Sequence, residues 1–151
     1  MKAGKSATPA MTDEVVLDAS VAVDHFFPQP GSRAAWALFQ TDVRVIAPDL
    51  IFAEFASVAT RLVRRGEVSD TLAREAVEQL RLLIDEVAPL GDLAGAAYDL
   101  ARWRGFSVYD GVYLALARAR GLQLVTADAR LARRAVEVGW ADHVRLLSPQ
   151  P

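Results

Sequence analysis

Apolar residues follow two rhythms along this chain. Continuous runs rich in β-branched residues, Val15-Val16-Leu17, Val45-Ile46-Ala47 and Leu122 to Val125, predict buried strands over 14–17, 44–48 and 122–126. Between them apolar positions recur every three or four residues, which predicts helices over 21–27, 32–40, 49–65, 71–84, 93–104, 109–120 and 128–138. Two shorter runs read as strands: 86–90, at an edge where Pro89 is tolerated, and 143–147. The punctuation agrees. Pro28 to Gly31, Gly66, Gly121 and Gly139 stop helices, while Pro48-Asp49, Ser69-Asp70 and Gly91-Asp92 start them. Leu72, Ala76, Leu80 and Leu83 form one stripe. The first half of 49–65 is apolar nearly all round and is expected to be buried on every side. Strands alternating with helices imply α/β architecture, a mostly parallel sheet and right-handed crossovers.

At 151 residues and 52% apolar content the chain suits one domain, assigned to 13–148. Residues 1–12 are small and polar without periodicity and read as a tail or an added extension; 149–151 form a short C-terminal tail. No apolar run reaches the length of a membrane span, and the N-terminus lacks the apolar core of a secretory signal. There is no cysteine. That excludes disulfides, thiolate zinc sites and cysteine nucleophiles, and points to the cytoplasm. The net charge of −2 argues against holding nucleic acid by bulk positive charge. Lysine occurs only at Lys2 and Lys5, so every cation of the folded part is arginine, the better bidentate phosphate ligand. High-GC codon usage explains that bias at least as well.

Four acids stand out from the rest. Asp18 ends the first strand, at the sheet edge where open α/β folds bind ligands, although a plain helix cap is an alternative reading of Asp18 or Ser20 there. Glu54 sits within Leu-Ile-Phe-Ala-Glu-Phe-Ala, where an unpaired carboxylate costs several kcal/mol to bury, so Arg61, a hydrogen-bond partner or a cation has to compensate it. Asp110 opens an otherwise apolar helix, and Asp128 follows the strand ending in Leu-Val-Thr126-Ala. Each has a capping explanation. In a parallel sheet, however, all four converge on one edge. Clustered carboxylates repel, and hard divalent ions, Mg²⁺ or Mn²⁺, are the natural partners of an all-oxygen site. Metal-assisted phosphodiester hydrolysis is the leading chemistry.

Other classes fail on their own residues. A receiver domain and a haloacid-dehalogenase-like phosphatase both need a lysine that the folded region lacks. No Gly-x-x-x-x-Gly-Lys loop or Gly-x-Gly-x-x-Gly turn is present. His25 reads as a helix-end residue and His143 as a loop or strand-edge one, neither in a metal-ligand spacing.

Taken in order, Val-Leu-Asp18-Ala-Ser20-Val, Pro48-x5-Glu54, Tyr109-Asp110-Gly-Val-Tyr-Leu-Ala-Leu-Ala and Leu-Val-Thr126-Ala-Asp128 resemble the PIN-domain ribonucleases, in particular VapC-type toxins of type II toxin–antitoxin pairs. The resemblance spans about Val15 to Leu147. It implies a PIN-like three-layer α/β/α sandwich with strand order 3-2-1-4-5. It also implies that Asp18, Glu54, Asp110 and Asp128 are catalytic and bind Mg²⁺ or Mn²⁺, with the Ser20 and Thr126 hydroxyls supporting them. The implied reaction is endonucleolytic RNA cleavage leaving a 5′-phosphate and a 3′-hydroxyl. The implied partners are an RNA substrate, a cognate antitoxin protein lying across the groove, and a second copy in a homodimer. After Asp128 the chain offers Arg130, Arg133 and Arg134 and no acid before Glu137, so one ion is expected rather than two. Asp24, six residues after Asp18, is within reach of the pocket rim, although an exposed helix face is the favoured reading; the arginines of the last helices, with Arg61, Arg64 and Arg65, are candidates to hold RNA phosphates, although solvated faces account better for most. The apolar faces of 49–65 and 69–84 exceed what one small sheet covers, which also suggests dimerisation. The competing reading is a catalytically silent PIN-like module that binds RNA or protein.

Overall fold

The computed structural model describes residues 13–149; the tail assigned to 1–12 and the last two residues lie outside them. Five strands, β1 (Glu14–Leu17), β2 (Arg44–Pro48), β3 (Glu86–Ala88), β4 (Gln123–Thr126) and β5 (Val144–Leu146), form one sheet in the order 3-2-1-4-5. Every pairing is parallel, with Val16 beside Ile46 on one side and Leu124 on the other. Helices cover both faces, which is why the central strands read as continuous apolar runs rather than alternating ones. Val16, Leu17, Ile46 and Leu124 have no exposed surface. Each such side chain contributes about 1.5–3 kcal/mol on burial.

Seven α-helices join the strands: α1 (Ala19–Phe26), α2 (Ser32–Phe39), α3 (Leu50–Arg64), α4 (Asp70–Gln79), α5 (Ala94–Arg104), α6 (Val108–Arg120) and α7 (Ala129–Glu137). Right-handed crossovers put α1–α4 on one face and α5–α7 on the other. The packing agrees: α1 lies against α2 and α3, α5 lies against α6, and α6 lies on β1, β2 and β4.

Three sequence expectations change in detail. The first helix starts at Ala19 rather than Val21, directly after Asp18, so no loop separates strand from helix. The helix expected over 71–84 ends at Gln79 and tightens into a 3₁₀ turn over Leu80–Leu83. Its buried line is Ala73, Ala76 and Leu80, and Leu72 is 40% exposed. Third, α3 is one-sided: Ile51, Phe55, Ala59 and Leu62 are buried while Ala53 and Ser57 are exposed. Alanine and serine carry too little apolar surface to require burial, so a run containing them overstates how much of the helix is covered.

Candidate active site

β1 and β4 end side by side, and the backbone carries the sheet ladder one step further when Asp18 N–H donates to the Val125 carbonyl at 3.0 Å. That step aims the Asp18 side chain off the carboxyl edge of the sheet. Asp18 is 8% exposed and occupies the N-cap position of α1, yet its side chain makes no capping bond there. The helix-cap explanation of Asp18 therefore fails.

Two hydroxyls hold its carboxylate instead. Ser20 Oγ donates to Asp18 Oδ2 at 2.6 Å and Thr126 Oγ1 donates to the same oxygen at 2.7 Å. Each hydroxyl also accepts a backbone amide, Ala127 N–H on Ser20 at 2.9 Å and Asp128 N–H on Thr126 at 3.0 Å. With both hydroxyl protons committed to Asp18, the two hydroxyl oxygens approach to 3.3 Å with no proton between them. The arrangement leaves Asp18 Oδ1 without a side-chain donor.

The other three acids reach the same space from separate elements. Glu54 stands in the second turn of α3, Asp110 in the first turn of α6 and Asp128 at the N-cap of α7. Together with Asp18 they line one pocket of about 780 Å³, whose wall also includes Asp24, Arg61, Tyr109 and Leu147. Asp128 does cap its helix: Oδ1 accepts the amides of Arg130 at 2.9 Å and Leu131 at 3.2 Å. Asp110 does not act as a cap. Ser107 Oγ accepts its N–H at 3.0 Å and also favours its ionised carboxylate, which lines the pocket.

The electrostatics follow from crowding and burial. Burial raises the Asp18 pKa, and the two hydroxyls only partly oppose it. Burial, then the charge of Asp18, pushes Asp110 up to about 6. Burial raises Glu54 as well, with Asp18 and Asp110 adding to it. Tyr113 stands behind Glu54 and its phenol favours the ionised carboxylate, yet Tyr113 OH and Glu54 Oε1 both remain buried without closing a hydrogen bond of ordinary geometry. Arg61 lines the pocket but lies outside salt-bridge distance of Glu54. Of the compensations open to Glu54, protein groups supply only a loose one.

One wall residue departs from its sequence reading, and another carries no sequence signal of its own. Asp24 is half-buried on the pocket wall, the alternative to the favoured exposed face, with its carboxylate seated over Gly31 and its pKa raised by burial. A side chain at position 31 would occupy that seat. Tyr113 looks like one more apolar position of α6, although it follows Asp110 by three residues and therefore shares its face. His25 does sit at a helix end, packed among Phe26, Trp36 and Phe39. Among the described residues, no three His, Asp or Glu side chains already enclose a single ion-sized space.

Comparison with known proteins gives the same picture. The family model described as PIN domain matches residues 15–137. Ribonuclease VapC1 of Mycobacterium tuberculosis is 32% identical over 120 residues, covering 80% of this chain and 90% of the relative. Two crystal structures share the fold. PAE2754 from Pyrobaculum aerophilum superposes with TM-score 0.62 at 21% identity, covering 85% of this chain and 83% of that one. Mycobacterium tuberculosis VapC20, described as a sarcin-ricin loop cleaving toxin, superposes with TM-score 0.61 at 21% identity, covering 79% and 93%. With the sheet order, the acid-lined edge and these matches in agreement, the chain belongs to the PIN-domain family, among the VapC-type proteins.

Proposed function

We propose that this protein is a Mg²⁺- or Mn²⁺-dependent endoribonuclease, the toxin of a toxin–antitoxin pair, with Asp18, Glu54, Asp110 and Asp128 as its metal-binding and catalytic acids. One observation carries the reading: four carboxylates from four elements face a single pocket, and among the described residues no cation pairs with them there. The donor set fits a hard divalent ion. It is all oxygen, Asp18 Oδ1 has no side-chain donor, and Glu54 Oε1 is buried without a partner.

When bound, such an ion supplies an activated water and offsets the negative charge that builds on phosphorus. The chain's own residues do the rest. Ser20 and Thr126 keep Asp18 fixed and favour its ionised form. Asp128 holds its place because one of its oxygens is tied to the start of α7. Asp110, with a pKa of about 6, is mostly ionised at neutral pH and available to a cation. The relatives' names as ribonucleases support RNA as substrate, and their type supports an antitoxin protein as partner. The cytoplasm is the setting this reading implies, and among the described residues no helix is long and apolar enough to cross a membrane.

A homodimer belongs to the same proposal. Leu72, Val77 and Leu82 stay exposed on and after α4, a placement suited to a self-association face. Sedimentation is expected to show a dimer at micromolar concentration, and a monomer at all concentrations would refute it. For the activity, Asp18→Asn and Asp110→Asn should each lower Mg²⁺-dependent RNA cleavage by roughly a hundredfold or more with an unchanged circular dichroism spectrum. Undiminished cleavage in either variant would refute the assignment of these acids, and an unsubstituted chain that neither binds Mg²⁺ nor cleaves RNA would make the non-catalytic binding module the better reading.

A further inference from the structure

Beyond Asp110 and Asp128 the acid pocket runs into a second groove of about 630 Å³, walled by Gly105, Ser107, Arg130, Arg133 and Arg134. Its arginines are of two kinds. Arg134 is fixed: Nε donates to the Arg104 carbonyl at 3.1 Å and Nη1 to Glu137 Oε2 at 3.1 Å. Its guanidinium lies over Gly105, whose φ of +72° closes α5 in the left-handed conformation and whose missing side chain makes the seat. Arg130 and Arg133 are exposed, and among the described residues no carboxylate lies within salt-bridge distance of either.

Two free guanidinium forks therefore stand immediately beyond a row of unpaired acids. They do not neutralise those acids; Arg130 is felt at Asp110 only as the smallest influence there. A ligand that uses both features carries repeating negative charge: one unit at the acid pocket, met through a cation, and the next at the arginines. A phosphodiester strand has that repeat, and the planar forks match phosphate oxygens. An acidic peptide repeats negative charge too, and it is the ribonuclease reading of the adjoining pocket that selects the phosphodiester.

We propose that this second groove is a subsite for an RNA backbone phosphate flanking the scissile one, bound by Arg130 and Arg133 against the fixed wall of Arg134. The assignment rests on the ribonuclease reading of the adjoining pocket. It makes α7 the element that sets how the strand lies across the acids.

The test compares the full chain with Arg130→Gln/Arg133→Gln and with a charge-matched control, Arg33→Gln/Arg102→Gln, two exposed arginines that line neither the acid pocket nor the second groove. Binding of a labelled single-stranded RNA oligonucleotide is measured in EDTA across a salt series, and cleavage of the same RNA in Mg²⁺. The groove variant is expected to bind roughly tenfold more weakly, with a salt slope shallower by about 0.7, the share of a single neutralised phosphate. Its KM should rise while kcat stays close to that of the unsubstituted chain, and the control should match that chain throughout. Equal affinity and slope in the two double variants would overturn the subsite and leave the ribonuclease reading standing. So would unchanged RNA binding together with abolished binding of polyglutamate, which would assign the groove to an acidic peptide. If RNA binding depends on Arg130 and Arg133 but neither Mg²⁺ nor Mn²⁺ supports cleavage, the phosphate site stands and the ribonuclease reading falls.

Discussion

Thr126 has no exposed surface, and its one hydroxyl both donates to Asp18 and accepts from Asp128 N–H. Valine has the same shape without those bonds. Thr126→Val is expected to destabilise the protein by about 1–3 kcal/mol, because a buried carboxylate and a partly buried amide each lose a partner. Chemical denaturation measures that loss, and a change below about 0.5 kcal/mol would mean that water replaces both bonds. Ser20 and Thr126 are legible from the sequence only through family resemblance, since nothing local distinguishes a hydroxyl that grips an acid from one that caps a helix. Glu54 is legible on physical grounds, as a charge amid apolar neighbours. Asp24 is not. Its neighbours along α1 give no sign that Gly31, brought over by the following loop, leaves room for a carboxylate on the pocket wall.

Among the elements, α5 and α6 approach each other closely. A Cβ added at Gly111 would lie 2.8 Å from the Ala97 carbonyl oxygen and 3.1 Å from Ala97 Cα, both backbone atoms that a side-chain rotation cannot clear. Gly111→Ala should therefore force the two helices apart and cost about 1–3 kcal/mol, despite alanine's better helix propensity. A rise in melting temperature in that variant would contradict the close-packing account. Helix identity and order are readable from period and punctuation. Burial around each helix is less so, as α3 illustrates: a run of Ala and Ser among large apolar residues looks uniformly hydrophobic, although only the large residues are compelled inward.

Over the whole molecule the charges divide between the two ends of the sheet. At the amino ends of the strands Glu86 pairs with Arg44 at 2.9 Å and also with Arg120, and these arginines hold its carboxyl below the usual range. At the carboxyl ends the acids are uncompensated, and Asp18, Glu54 and Asp110 are all raised. An acid raised in the folded state binds more protons there than in the unfolded chain, so its contribution to stability falls as pH climbs from the unfolded pKa to the folded one. For Asp110 that window runs from 3.8 to about 6. The metal-free protein should melt higher near about pH 5 than near about pH 7.5, and Asp110→Asn should narrow the gap. A melting temperature that rises steadily across this range would contradict the clustered-acid account. At this scale the parallel sheet is legible from alternating strands and helices, whereas the strand order 3-2-1-4-5 is legible only through the family resemblance.

The bonds around Asp18 have a direction. Two backbone amides, of Ala127 and Asp128, feed through two hydroxyls onto a single carboxylate oxygen, so every proton in both chains points the same way. An asparagine at position 18 can present its carbonyl oxygen to both hydroxyls and leave that polarity intact while removing the charge. An alanine would end both chains at once and release the segment that carries Asp128. The amide substitution therefore isolates the charge of Asp18 from its structural duty, and the two replacements at one position separate chemistry from architecture.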